Sequence, residues 1–339
     1  MSRNNCFDIL RLLAASMVIY FHHSLMYGIV PPKLGVGFEL GSIGVQIFFS
    51  ISGFLVAMSF SRSKGYLDFM EKRVRRIFPA LIVVSFAMVY FMAPMFQSEP
   101  WEYVTSIDAF KKFLQTSTMY GSDVPNLWSA YSLSPKSNGP LWTLPYEFFM
   151  YVAIGIMLSM HNSWKVPSAA VVGCFLLVAF YEKELGGYGF YYTNAGAMAK
   201  FGMNFFLGSL LFMTIDKWNN KKTKIFIFTI SLVSIFTLQD KRELTLFAPL
   251  AITMITLIIG LSISDKLIDG KFDISYGLYI WAWPIQVLVF KNITLDFIPS
   301  LLVSYFITAT IAAISWFYVE RKFLKRSINS KIILETKTI

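Results

Sequence analysis

The sequence predicts an all-α polytopic membrane protein with about ten transmembrane helices in one bundle. Of its 339 residues, 55% are hydrophobic and 17% are aromatic. The mean hydropathy is +0.56, which is far from the value of soluble proteins. Apolar stretches long enough to cross a bilayer recur along the chain. They are continuously apolar and do not alternate with a period of two, which favours helices over a β-barrel.

The predicted transmembrane helices follow one another along the chain with short polar connections. The ten segments are residues 7–28, 40–60, 77–96, 140–160, 166–181, 199–215, 224–238, 245–263, 274–290 and 299–318. We therefore expect one membrane domain over residues 1–326 and a cytoplasmic C-terminal tail over residues 327–339.

The formal net charge of +10 is explained by membrane topology. If the N-terminus is cytoplasmic, the loops on that side carry most lysines and arginines, for example within residues 62–76 and 321–322. This asymmetry is the positive-inside pattern. It predicts two cytoplasmic termini and contact with membrane lipid, and it argues against a nucleic-acid partner. Cys6 and Cys174 are too few for a disulfide or metal framework, so we expect small buried side chains and no metal.

The first helix carries Arg11 and His22, two residues that a lipid-facing helix disfavours. An arginine at the bilayer centre costs about 2.5–3.5 kcal/mol on insertion scales. Arg11 and His22 are eleven positions apart, which corresponds to three turns plus about 20° and to a rise of about 16 Å, so both project from nearly one face. The pair indicates chemistry with His22 as a general base. A histidine that only hydrogen-bonds a neighbouring helix is the alternative.

The next two helices carry small residues and then a basic cluster. Glycines and serines in the second helix indicate close helix packing. At the start of the third helix, Arg73 and Arg76 are three residues apart, share a helix face and can grip a phosphate. The ordinary alternative is that these arginines hold the topology and touch anionic lipid.

The fourth helix begins with an aromatic stretch that ends in Glu147. A carboxylate at the edge of a span usually needs a partner, so Glu147 can orient an imidazole or bind a sugar hydroxyl, or it can simply face water. Trp142 and Tyr146 suit stacking on a sugar face, and they equally suit an aromatic belt at the interface.

Taken together, these segments resemble the acyltransferase 3 family of integral membrane acyltransferases. The likeness runs along most of the chain and depends on five stretches that occur in the family's order. They are Phe7-Asp8-Ile9-Leu10-Arg11 followed by His22, Gly44 to Phe54, Arg73-Val74-Arg75-Arg76-Ile77-Phe78-Pro79, Pro140 to Glu147, and Ile274 to Trp281.

The resemblance implies an O-acetyltransferase of the bacterial inner membrane. Such an enzyme takes an acetyl group from cytoplasmic acetyl-CoA and passes it to a hydroxyl of a lipid-linked or polymeric cell-surface glycan, such as the O-antigen of lipopolysaccharide, on the periplasmic side. Carried over by position, the resemblance implies His22 as catalytic base, Arg11 as its motif partner, Arg73 and Arg76 as acyl-CoA contacts, and Glu147 as a polar active-site residue.

One position departs from the family pattern. Relatives often carry a histidine shortly after the Ser-Tyr and Trp of the fifth stretch, whereas this chain has Ala282. The departure leaves open an O-acyltransferase with another acyl group or acceptor, such as succinyl, an exopolysaccharide or peptidoglycan. A flippase for a lipid-linked sugar is a further alternative, against which the absence of internal repeats and the clustered arginines argue.

Overall fold

The computed structural model describes residues 5–35, 38–121, 138–239, 241, 243–265, 268 and 272–324, and this part of the chain is almost entirely helical. A single pair of short antiparallel strands, β1 (Gly189–Phe190) and β2 (Thr193–Asn194), occurs within it. The α-helices in chain order are α1 (Phe7–Met26), α2 (Leu40–Ser61), α3 (Tyr66–Ala87), α4 (Pro100–Thr105), α5 (Ile107–Ser117), α6 (Leu144–Met160), α7 (Lys165–Leu185), α8 (Ala195–Met213), α9 (Ile215–Trp218), α10 (Lys221–Leu238), α11 (Leu244–Ser262), α12 (Ser275–Asn292) and α13 (Phe297–Ser315).

Eight helical stretches of the described residues are long and apolar enough to cross a membrane. They are Phe7–Met26, Leu40–Ser61, Tyr66–Phe96, Gly139–Met160, Lys165–Leu185, Ala195–Met213, Leu244–Ser262 and Phe297–Leu324. The other two predicted segments also form helices, α10 and α12, of 18 residues each. The prediction of an all-α polytopic membrane protein is therefore confirmed. The predicted tail at residues 327–339 lies outside the described residues.

The two longest spans continue beyond their α-helices as short π-helical or 3₁₀-helical segments. A π-helical turn (Met88–Met92) and a 3₁₀ turn (Ala93–Phe96) extend α3. A second π-helical turn (Trp316–Glu320) extends α13. A 3₁₀ turn (Gly139–Thr143) leads into α6. Because π turns insert an extra residue into the helical repeat, they rotate the side chains that follow and are frequent at functional sites.

The chain divides into two compact units, of which the first comprises Met1–Ser24, Ile29–Phe69 and Pro145–Asp273. It contains α2, nearly all of α1 and α6, and α7 to α11. Its core includes Phe7, Ile51, Phe54 and Leu257. The thiol of Cys6, just before α1, donates to the carbonyl of Ile259 at 3.7 Å. Burial raises the pKa of this thiol, so it is poorly suited to act as a nucleophile.

Helices α2 and α8 approach each other backbone to backbone in the first unit. A Cβ atom at Gly53 would overlap the carbonyl oxygen of Phe205, and one at Gly208 would overlap the carbonyl oxygen of Ser50. The hydroxyl of Ser209 donates to the carbonyl of Gly53 at 3.0 Å. The glycines of the second helix therefore serve close packing, as small residues do between membrane helices.

The second unit comprises Leu25–Gly28, Met70–Leu144 and Ile274–Ile339. It contains most of α3 together with α4, α5, α12 and α13. Ser106 caps α5 by accepting a hydrogen bond from the amide of Ala109 at 3.0 Å. Burial, with a smaller contribution from Asp108, raises the pKa of Tyr103 in α4 to about 12. This phenol therefore stays protonated at physiological pH.

Candidate active site

Arg11 lies in the first turns of α1 between two carboxylates. Its guanidinium Nη1 contacts Asp8 Oδ1 at 3.4 Å and Asp273 Oδ2 at 3.2 Å. The Arg11 side chain is 17% exposed, and both aspartates are buried. Asp8 also occupies the first turn of α1, where the helix dipole stabilises a negative charge. The positive charge of Arg11 is therefore compensated by the carboxylates of Asp8 and Asp273.

The two carboxylate partners of Arg11, Asp8 and Asp273, were not predicted from the sequence. The spacing of Asp8 and Arg11, three residues apart on one helix, was the available signal for their ion pair. Asp273 directly precedes the stretch Ile274 to Trp281, but nothing in the sequence indicates a partner 262 positions away.

His22 lies on the same uninterrupted helix as Arg11, so the predicted relation of the two residues along one face holds. Its side chain is half-buried, whereas its neighbour His23 is completely buried. The imidazole of His22 makes an edge-to-face contact with the ring of Phe21, with centroids 5.2 Å apart. His161, which follows α6, is exposed. Of the two consecutive histidines in α1, His22 is thus the more accessible.

Glu147 lies in the first turn of α6 and is held by two hydroxyl groups. Ser52 of α2 donates to its Oε1 at 2.7 Å, and Tyr151, one turn later on α6, donates to the same oxygen at 2.5 Å. The hydroxyl oxygens of Ser52 and Tyr151 are 3.0 Å apart. Within the described residues the direct partners of this carboxylate are therefore hydroxyls and not the imidazole of His22.

A second buried polar cluster lies near by on α2 and involves different partners. Ser50 forms a hydrogen bond with Thr253 of α11 at 2.9 Å. Asn204 of α8 donates to Thr253 at 3.1 Å and to the carbonyl of Pro249 at 2.8 Å. This cluster joins three helices of the first unit around a buried backbone carbonyl, which is a structural task.

Arg73 and Arg76 lie on α3, in the part that belongs to the second unit, and both are half-buried. The Arg76 guanidinium is 3.9 Å from Glu320 and lies over the ring of Tyr276, 5.9 Å from its centroid. Ser315 donates to the other oxygen of Glu320 at 3.1 Å. Glu320 is only 2% exposed, and sequence reasoning missed it.

Arg75 differs from its two neighbours. Its guanidinium pairs with Glu71, one turn earlier on α3, at 2.5 Å, and the Glu71 side chain is mostly exposed. An exposed pair of this kind contributes little to stability. Arg75 thus has different surroundings from Arg76, which contacts a buried carboxylate.

The predicted aromatic contacts at the start of α6 differ in accessibility. Tyr146 is 2% exposed, and its hydroxyl accepts a hydrogen bond from the amide of Asn194 at 2.7 Å. Its ring is therefore not available to stack on a sugar. Trp142, in the second unit, is 39% exposed and keeps that option. Ala282, the position that departs from the family pattern, is buried in α12.

No group of three or more histidine, cysteine, aspartate or glutamate side chains in the described part of the chain is placed to hold a metal ion. In general, guanidinium groups can bind anions, and carboxylates and hydroxyls can hydrogen-bond hydroxyl groups.

Comparison with known proteins identifies the family. A family profile described as "Acyltransferase domain" matches residues 4–319. The chain belongs to the acyltransferase 3 family. This result confirms the resemblance inferred from the five stretches, and it confirms the predicted enzyme class, an O-acetyltransferase. The acyltransferase is a multi-pass membrane protein.

Several curated proteins are similar to this acyltransferase. An O-acetyl transferase of Shigella phage Sf6 is 33% identical over 338 residues, which cover 96% of this chain and 98% of that protein. O-acetyltransferase OatA of Staphylococcus aureus (strain NCTC 8325 / PS 47) is 23% identical over 377 residues, covering 97% of this chain and 58% of that protein. Exopolysaccharide production protein ExoZ of Rhizobium meliloti (strain 1021) is 27% identical over 146 residues, 42% of each chain. No solved structure matches the chain.

Proposed function

We propose that this acyltransferase moves an acetyl group from cytoplasmic acetyl-CoA to a hydroxyl of a bacterial cell-surface polysaccharide, such as the O-antigen, on the periplasmic side of the inner membrane. The observation that carries the proposal is the similarity to the phage O-acetyl transferase over nearly the full length of both chains. The half-buried His22 on a membrane-spanning helix, with a fixed ion cluster on the same helix, supports a group-transfer reaction.

In this proposal His22 is the general base. Its neutral imidazole removes the proton of the acceptor hydroxyl as the oxygen attacks the thioester carbonyl of acetyl-CoA. The new C–O bond forms, the C–S bond breaks, and CoA leaves as a thiolate that takes up the proton. Arg11 does not need to touch either substrate, because Asp8 and Asp273 already compensate its charge; its task is to fix the beginning of the helix that carries His22.

Arg73 and Arg76 are proposed to bind the phosphates of acetyl-CoA. A guanidinium forms paired hydrogen bonds with phosphate oxygens, and its charge does not depend on pH. The contacts of Arg76 with Glu320 and Tyr276 hold its side chain in one orientation before the donor arrives. Glu147 is proposed to contact the acceptor.

A second acceptor class is favoured by one specific observation. The similarity to a protein named for exopolysaccharide production supports an exopolysaccharide in place of the O-antigen. The mechanism is the same for both acceptors, since each presents sugar hydroxyls.

The experiment that tests the proposal uses bacterial membranes that contain the protein and acetyl-CoA labelled in the acetyl group. We expect label in the surface polysaccharide, and we expect His22→Ala to reduce the rate by about 10²–10⁴, the usual contribution of a general base. His161→Ala, which replaces an exposed histidine, is the matched control and should transfer label normally.

Two outcomes would contradict the proposal. Wild-type membranes that bear both the O-antigen and an exopolysaccharide and transfer no label to either would contradict transfer from acetyl-CoA to these polysaccharides. Normal transfer by His22→Ala at equal expression would remove His22 from the role of base.

A further inference from the structure

The two oxygens of the Glu147 carboxylate differ in their hydrogen bonds: Ser52 and Tyr151 donate to Oε1, and neither donates to Oε2. Ser52 and Tyr151 both donate to Oε1, at 2.7 Å and 2.5 Å. A carboxylate has about four acceptor positions over its two oxygens. Because both donors supplied by the described residues use Oε1, Oε2 is the oxygen that remains for a ligand.

The cluster is fixed from two helices. Ser52 lies on α2, and Tyr151 lies one turn after Glu147 on α6. Ser52 and Tyr151 are buried, whereas Glu147 is half-buried. The two hydroxyls thus hold a partly accessible carboxylate in one orientation, so little reorganisation is needed when a ligand binds.

The chemistry of the carboxylate selects between the two substrates. An ionised carboxylate only accepts hydrogen bonds. The phosphates of acetyl-CoA are anions that it repels, the thioester carbonyl has no hydrogen to donate, and the pantetheine arm offers only a few amide N–H groups and one hydroxyl. A glycan presents many hydroxyl groups that can donate a hydrogen bond, and a hydroxyl group carries no negative charge that would repel the carboxylate. The acceptor glycan is therefore the substrate that fits Oε2.

We infer that Ser52 and Tyr151 are positioning residues that hold Oε1 of Glu147, so that Oε2 accepts a hydrogen bond from a hydroxyl of the acceptor glycan. This inference rests on the proposed function and deepens it by assigning an acceptor contact to one carboxylate oxygen.

The test measures the two substrates separately. Purified protein in detergent solution, where both faces are accessible, is given acetyl-CoA labelled in the acetyl group and surface polysaccharide extracted from a host strain that lacks the enzyme, and each is titrated while the other is saturating. We expect Tyr151→Phe and Ser52→Ala to raise the KM for the polysaccharide about tenfold, as for a lost hydrogen bond to a charged group. The KM for acetyl-CoA should be unchanged.

Two further variants separate positioning from general damage. Ser52→Thr keeps a hydroxyl at this position, so it should retain a KM for the polysaccharide close to that of the wild type. Ser50→Ala removes another buried hydroxyl of α2, whose partner is Thr253; it should leave the KM for the polysaccharide unchanged. If Tyr151→Phe does not fold, the comparison of Ser52→Ala with Ser52→Thr decides.

Three outcomes would overturn the inference: an unchanged KM for the polysaccharide in Tyr151→Phe and Ser52→Ala, a rise in the KM for acetyl-CoA instead, or an equal rise in Ser50→Ala. Wild-type protein that transfers no acetyl group to the polysaccharide would contradict the proposed function, which is a different result from a functional wild type with insensitive variants.

Discussion

At the scale of single residues, the arginines of this chain fall into two kinds. Arg11 lies between Asp8 and Asp273, so its charge is already compensated. Arg76 contacts the buried carboxylate of Glu320 at 3.9 Å and lies over the ring of Tyr276. The same residue type therefore fixes the beginning of a helix in one place, and in the other it is the residue that we propose binds a phosphate.

Breaking the ion pair between Arg11 and Asp273 is expected to destabilise the protein. Asp273→Asn leaves a largely buried guanidinium with one carboxylate partner, and loss of one member of such a pair is costly. The double variant Arg11→Asp with Asp273→Arg should be less destabilised than the sum of its two single variants, with a coupling free energy of about 0.5–3 kcal/mol. The midpoint of thermal unfolding in detergent measures this effect. Additive effects of the two substitutions would show that the contact contributes nothing.

The KM for acetyl-CoA should depend on Arg73 and Arg76 and not on Arg75, the third arginine of the cluster. Arg73→Ala with Arg76→Ala removes charge-assisted hydrogen bonds to the donor, and we expect the KM for acetyl-CoA to rise about tenfold or more. Arg75→Ala is the matched control, because Arg75 pairs with the mostly exposed Glu71. An unchanged KM for acetyl-CoA in the double variant would leave topology and lipid contact as the role of these arginines.

At the scale of helices, the close approach of α2 and α8 lies next to the candidate site along α2. Gly53 and Gly208 lack the side chains that would keep the two backbones apart. Ser52 precedes Gly53 directly in the chain and donates to Glu147 of α6. One short segment of α2 therefore carries both a close packing contact and a polar contact of the candidate site.

Gly53→Ala is expected to destabilise the protein, because the new methyl group would overlap the backbone of Phe205 and two rigid helices would have to separate. Gly173→Ala is the matched control: Gly173 lies in α7, and nothing lies within 4 Å of its added Cβ. Alanine is preferred over glycine in a helix interior by about 1 kcal/mol, so the control should not lower the unfolding midpoint. Equal midpoints for both variants would contradict the close approach.

At the scale of the whole molecule, the charge asymmetry of the loops predicts its orientation. Ser61 at the end of α2 and Ser98 before α4 are both exposed, and the positive-inside pattern places them on opposite sides. In intact spheroplasts, a membrane-impermeant maleimide should label Ser98→Cys and not Ser61→Cys. The wild-type chain is the blank, since Cys6 is buried and Cys174 is half-buried. Labelling of Ser61→Cys alone would reverse the predicted orientation.

The sequence predicts the helices well and the partners of the site residues poorly. Long apolar segments identify every predicted span because each is a local property of the chain. Intramembrane polar residues identify Arg11, His22 and Glu147 because they are costly in lipid. The partners of Asp273, Ser52 and Glu320 were not predicted because they are far away in sequence: Ser52 and Glu147 are 95 positions apart. Only packing brings such residues together, and no local pattern reports it.

The buried thiol of Cys6 makes a continuous activity measurement practical. Each acetyl transfer releases CoA with a free thiol, which chromogenic disulfide reagents detect as it forms. Such reagents react with thiolates, and burial raises the pKa of Cys6, so this cysteine should contribute little background. Turnover can then be followed in real time with unlabelled donor, which allows the variants above to be compared by their initial velocities.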